Sequence, residues 1–389
     1  MDTSTLYDFA PLAKVALAGI VLAAGPLAWI WLRHRGGQAA AHLRALTLLT
    51  LFLTFDLVLF GAFTRLSDSG LGCPDWPGCY GSATPFGAQA QIDAAQTALP
   101  SGPVTHGKAW IEMTHRYLAI GVGVLITVLA LANWLALRRD RETAVSPWWA
   151  TTTLAWVCVQ GAFGALTVTM KLYPAIVTAH LLGGMMLLAL LAAQAEAHAR
   201  VVLRVPPGLR RSVYAVCVLG AVQIALGGWV STNYAVLACS DFPTCHGSWW
   251  PAMDFEEGFA LRRELGRASS GAWLPFDALA AIHYVHRLFA YVLIAALLLL
   301  AWRMHRAAHA EGAPALRTWG FALAGVAAWQ FASGLSNVIL GWPLPAALAH
   351  TAGAAALVVL LTVLVVRMHE GRRSVAPEGG FAVPARLTP

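Results

Sequence analysis

The sequence predicts an all-α polytopic membrane protein: two parallel four-helix bundles related by a pseudo-twofold axis, with one extra transmembrane helix ahead of them. Three observations lead there. The chain of 389 residues is 58% hydrophobic and 12% charged, against about 25% charged in a soluble domain. It contains nine apolar runs long enough to cross a bilayer, which takes about 20 residues. Eight of those runs form two sets of four whose residues match at a nearly constant spacing.

The first run, about 11–33, reads as a retained span rather than a signal peptide. Asp2 and Asp8 precede it with only Lys14 as a base, whereas Arg33 and Arg35 follow. With its inside loop it makes up residues 1–42. Runs at about 43–66, 111–137, 148–170 and 175–197 form an N-terminal unit, 43–197. A short basic linker, 198–210, leads to a C-terminal unit, 211–367, with runs at about 211–232, 280–303, 316–340 and 346–367. The tail, 368–389, is polar and is expected to be disordered.

Orientation follows from Lys and Arg. Most of the 26 basic residues lie in the loops after the odd-numbered runs and in the tail, for example Arg138, Arg139 and Arg141, or Arg200, Arg204, Arg210 and Arg211. The positive-inside rule places these inside, and the N-terminus and the long loops at about 67–110 and 233–279 outside, as in a plasma or inner membrane. The net charge of +7 is therefore an orientation signal spread between spans, and nucleic-acid binding is excluded as its explanation. Each unit has an even number of spans, so both enter and leave on one side and repeat in parallel.

The repeat itself is internal similarity. Gly61-Ala62-Phe63 matches Gly227-Gly228-Trp229 at an offset of 166. The loop segment from Cys73 to Ser82 matches that from Cys239 to Ser248 at the same offset. Gln160 and Gly164 match Gln330 and Gly334 at 170, His115 matches His286 at 171, and His180 matches His350 at 170.

Five of the thirteen histidines fall within predicted spans: His115, His180, His283, His286 and His350. A polar ring in hydrocarbon is costly and faces the bundle interior. In each half one His heads the second core helix and another the fourth, at similar depth; His115 is about five residues in, or about 8 Å. Two facing imidazoles at one level of a four-helix bundle suit a b-type haem, with iron held by His115 and His180 and by His286 and His350. Structural zinc would need four ligands where each half offers two. No C-x-x-C-H occurs, so covalent haem attachment is not indicated.

Arg116 and Arg287 follow their histidines directly, and Arg65 ends the second run. Each can pair with a haem propionate or merely snorkel to the interface. Cys73 and Cys79, and Cys239 and Cys245, lie in the outside loops, where disulfides are the default. Closing so small a loop stabilises by about 2 kcal/mol in the entropic account. Structural staples, a redox-active pair and a zinc site shared by all four cysteines are the three readings. Cys158 and Cys217 read as small core residues. Three residues before the matched His, one copy carries Glu112 and the other His283.

These residues resemble the haem A synthase family over about 43–367. The resemblance rests on the run from Gly61 to Leu71, on Glu112-x-x-His115-Arg116, on His180, on His286-Arg287 and on His350. It implies conversion of haem O to haem A for cytochrome oxidases, with haem b on His286 and His350. It also implies a substrate haem O site at His115 and His180, a need for Glu112, and cysteines in the outer loops. The expected partners are a haem O synthase (a farnesyltransferase) upstream, cytochrome oxidase assembly downstream, an unidentified electron acceptor and the lipid bilayer; association into a homo-oligomer is left open. The first helix falls outside the family's eight-helix core.

The reaction takes a porphyrin methyl to a formyl group through a hydroxymethyl stage and releases protons beside an apolar pocket. Glu112, one turn outward of His115, is placed to accept them or to stabilise developing positive charge. Two other classes compete: a two-haem electron-transfer cytochrome linked to quinol or thiol redox, and a haem or small-molecule transporter. Polar ligands near one surface, without paired Gly/Pro breaks at mid-depth, disfavour the transporter.

Overall fold

A computed structural model describes residues 10–35, 39–139, 145–310 and 312–373. Among them are nine helices long and apolar enough to cross a membrane, and no β-strand. They are α1 (Ala10–Arg33), α2 (Ala39–Leu66), α3 (His106–Arg139), α4 (Pro147–Thr169), α5 (Pro174–Ala199), α6 (Pro207–Thr232), α7 (Phe276–Ala310), α8 (Pro314–Ile339) and α9 (Leu344–Arg373). The chain is a multi-pass membrane protein. Arg141 and the tail beyond 373 lie outside the described residues.

Helices form here because hydrocarbon offers backbone groups no partner, so each segment must satisfy its own. Polar side chains on α2 follow the same rule. Thr47, Thr50 and Thr54 donate to the carbonyls of Leu43, Leu46 and Thr50 at 2.7, 2.8 and 2.7 Å. Four of the nine begin with proline at the first helical turn, where its missing N–H costs nothing.

Apolar runs locate the spans but not their ends. α3 starts at His106 rather than 111, α7 runs from Phe276 to Ala310, and α9 continues to Arg373. His115 thus lies nine residues into its helix and His286 ten, against six for His180 and His350. The added outer turns pack against loop segments, such as the short helix Phe255–Gly258 against α7, and hydropathy does not register them.

Within the first set, α2 packs on α3 and α5, and α4 closes the ring between them. Within the second, α6 packs on α7 and α9, with α8 completing it. The sets meet where α5 lies on α9, flanked by α2 against α9 and α6 against α5. Exchanging α2–α5 for α6–α9 leaves these neighbours unchanged. The seam carries polar links, which suit helix association in lipid: the hydroxyls of Thr178 and Thr232 are 3.0 Å apart, and Arg367 reaches Glu196 at 2.7 and 3.0 Å. α1 lies outside, against α3 and α2. Cys217 is half-buried, but Cys158 is exposed on α4 rather than in the core.

Candidate functional site

The outer loops are built twice on one plan. Cys73 is joined to Cys79, and Cys239 to Cys245, as disulfides. These bonds consume the thiols, so four cysteines sharing a zinc ion is not the arrangement found. Beside each disulfide a tight turn closes with paired main-chain bonds, Cys79 with Ser82 at 2.7 and 2.9 Å and Cys245 with Ser248 at 3.0 and 3.1 Å. Asp75 accepts from the N–H groups of Tyr80 and Gly81 at 2.6 and 2.7 Å, and Asp241 from those of His246 and Gly247 at 2.7 and 3.0 Å. The hydroxyl of Thr244, then the N–H groups of Gly247 and His246, hold the Asp241 carboxyl well below the usual carboxylate range.

An arginine clamps each loop to its helix. Arg116 donates to the carbonyls of Asp75, Pro77 and Gly78 at 2.9, 3.3 and 2.5 Å. Arg287 donates to those of Asp241, Thr244 and Cys239 at 2.9, 2.7 and 3.1 Å. Arg65 reaches the carbonyl of Ser231 across the seam and lies 3.8 Å over the Tyr234 ring. Each arginine expected to meet a propionate is thus engaged by protein groups, although Nε of Arg287 is buried without a partner among the described residues. Both Arg116 and Arg287 are buried, which also departs from snorkelling.

Glu112 and His283 share a task. The N–H of Cys73 donates to Glu112 Oε2 at 2.7 Å, and that of Cys239 to His283 Nδ1 at 3.2 Å. Both side chains are buried. The halves differ in charge: Glu112 Oε1 also pairs with Arg116 at 2.5 Å, whereas Arg287 has no acidic ion-pair partner among the described residues. Val15 of α1 is buried with Cys73, Cys79, Ile92 and Met113, so the extra helix covers the first loop.

Below the loops lie the histidine pairs. The rings of His286 and His350 are 6.5 Å apart between centroids and nearly perpendicular, at 85°. Two metal–nitrogen bonds of ~2 Å, with ~1.1 Å from each nitrogen to its ring centre, give ~6.2 Å. The donor set therefore fits an iron held between them. In the other half Nδ1 of His115 and of His180 is buried without a hydrogen-bond partner among the described residues.

Each ring faces a glycine on the preceding core helix. A Cβ at Gly61 would lie 3.0 Å from Cε1 of His115, at Gly227 3.0 Å from that of His286, at Gly334 3.2 Å from that of His350, and at Gly164 3.5 Å from that of His180. All four glycines are visible in the repeat, but their purpose depends on how closely two helices approach. Other features escaped the sequence reading. Ser333 and Gln223 contact His350 and His286, each at 3.0 Å, and Asp56 of α2 is exposed without an ion pair among the described residues.

Comparison with known proteins matches the sequence to a family. Residues 44–362 match the model of the cytochrome oxidase assembly protein family COX15-CtaA. Heme A synthase of Shewanella oneidensis is 36% identical over 330 residues, covering 81% of this chain and 93% of that protein. The heme A synthases of Halalkalibacterium halodurans and Paracoccus denitrificans are each 27% identical, over 76% and 84% of this chain and 86% and 87% of theirs. The matched region takes in both histidine pairs and both disulfide loops and leaves out α1. The chain belongs to the COX15-CtaA family of cytochrome oxidase assembly proteins.

Proposed function

We propose that this protein is a haem A synthase, oxidising one methyl substituent of haem O to a formyl group and supplying haem A to cytochrome oxidase assembly. The observation that carries this is the pair of imidazole sites, one per half, in a chain whose relatives bear that name. Haem O takes the N-terminal site, between His115 and His180. Haem b takes the C-terminal one, between His286 and His350, and when bound supplies one-electron transfer. The matching neighbours of α2–α5 and α6–α9 support two parallel bundles related by a pseudo-twofold axis, with residues 43–197 and 211–367 as the units.

Methyl to formyl is a four-electron oxidation, so an electron acceptor takes part as a partner. A haem O synthase stands upstream. Glu112 sits one turn outward of His115 with both carboxylate oxygens already accepting, from Cys73 and Arg116. That favours a held charge, positioned beside the substrate and coupled to the first disulfide loop, over a freely moving base. The disulfides fit an oxidising compartment, and the arginine clusters the opposite side, so the loops face outside a plasma or inner membrane and the C-terminus inside.

A two-haem electron-transfer cytochrome is the second reading, and one observation favours it: Glu112 and His283 anchor their loops alike. Haem extracted from membranes of a haem-O-producing host that expresses the chain separates the two. Haem A or hydroxylated haem O is expected. Haem b and unaltered haem O alone would leave the cytochrome.

A further inference from the structure

The two histidine pairs differ behind the rings. Ser333 donates its hydroxyl proton to the carbonyl of Trp329 at 2.8 Å and lies 3.0 Å from Nδ1 of His350. With its proton committed, the hydroxyl is left to accept, which places the imidazole proton on Nδ1 and frees the Nε2 lone pair for a metal. Gln330 steadies the same residue by donating to its carbonyl at 3.0 Å. Across the bundle, Nε2 of Gln223 lies 3.0 Å from Nδ1 of His286, 3.4 Å from its Nε2 and 3.2 Å from its carbonyl oxygen. Gln223 Oε1 is buried without a partner among the described residues, and a half-turn of the amide presents that oxygen to an Nδ1–H.

Nothing equivalent serves the N-terminal pair. Nδ1 of His115 and of His180 has no partner among the described residues. The offsets of 166 and 170 put Leu57 where Gln223 stands and Phe163 where Ser333 stands. Leu57 packs against the apolar cluster among α2, α3 and α5, and neither side chain has a polar atom to offer. A ligand imidazole whose Nδ1–H is hydrogen-bonded is fixed in tautomer and orientation and is more basic; losing that partner typically costs roughly 10–100-fold in metal affinity.

We infer that Ser333 and Gln223 are positioning residues that fasten His350 and His286 onto a resident haem, whereas Phe163 and Leu57 leave His180 and His115 unrestrained so that the haem bound there can exchange. A synthase must release one haem each cycle and keep the other, and the contrast behind the rings divides those tasks. The inference rests on the reading that both pairs face haem iron.

The test uses the purified full chain loaded with ferric haem b, and follows haem loss to an excess of apomyoglobin together with the midpoint potential of the haem retained. Ser333→Ala is expected to release the C-terminal haem roughly 10–100-fold faster and to raise its potential, because a less basic ligand stabilises the ferric state less. Ser333→Thr should restore both readouts. Gln223→Leu, which installs the residue of the other half, should shift both in the same direction as Ser333→Ala. In a His286→Ala background, where only the N-terminal pair remains, Phe163→Ser should slow haem loss. Unchanged loss and potential in Ser333→Ala and Gln223→Leu would overturn the inference while leaving the haem sites standing. Wild-type protein that takes up no haem would instead overturn the reading on which it rests.

Discussion

In the N-terminal half a carboxylate, Glu112, takes the N–H of Cys73 and pairs with Arg116 at 2.5 Å. In the C-terminal half an imidazole, His283, takes the N–H of Cys239, and Arg287 turns to loop carbonyls alone. The fastening of loop to helix is common to both, so it cannot be what an acid at position 112 adds. What remains is a buried ion pair within one turn of His115, in the half whose histidines lack polar support. One half sets a buried ion pair beside unsupported histidines and the other a buried arginine, with no acidic partner among the described residues, beside braced ones; the proposed division places chemistry in the first and the kept cofactor in the second.

Breaking the clamps should separate the halves most widely. Arg116→Ala leaves Glu112 buried without its partner, which costs about 3–5 kcal/mol. Arg287→Ala removes three hydrogen bonds to carbonyls but strands no charge, and should cost about 1–3 kcal/mol. Thermal unfolding in detergent, with limited proteolysis of each loop, measures the difference; equal losses would mean the ion pair contributes nothing beyond the clamp.

Crowding the rings is expected to act next. Gly61→Ala and Gly227→Ala put a methyl 3.0 Å from a histidine carbon, an overpacking worth about 1–3 kcal/mol. Gly227→Ala should disturb the Soret spectrum of bound haem b and Gly61→Ala should not, since it touches the other site. Gly164→Ala, at 3.5 Å from His180, should be tolerated in both stability and spectrum.

The smallest effect concerns acid. Hydrogen bonds from Thr244, Gly247 and His246 lower the pKa of Asp241, so its contribution to the second loop is present above the unfolded value of ~4. It is lost as pH falls through the lower folded value. Amide protection at His246 and Gly247, taken relative to the intrinsic exchange rate at each pH, should fall only in that acid range, and Asp241→Asn should abolish that change in protection.

The nine spans were legible because hydrocarbon forces each apolar run into a helix. The helix ends were not: the first turns of α3, from His106, are polar and take their stability from the loop folded onto them. The histidines and glycines stood out through the repeat. The arginines did not disclose their role, because a position beside a ligand at a span's end suits propionate pairing and snorkelling alike. Their partners, the carbonyls of Asp75, Pro77 and Gly78 for Arg116, come within reach only after the disulfide loop bends back on its helix. Ser333 was hidden for a related reason, since a serine on an apolar helix gains meaning only from the ring that faces it.

The division of labour is tested most directly by purifying Glu112→Ala and His286→Ala from a haem-O-producing host and analysing the haem each retains and forms. Glu112→Ala should keep haem b with an unaltered spectrum and make no formyl product, while His286→Ala should lose that haem. Loss of haem b from Glu112→Ala, or haem A formed by it at the wild-type level, would contradict the assignment.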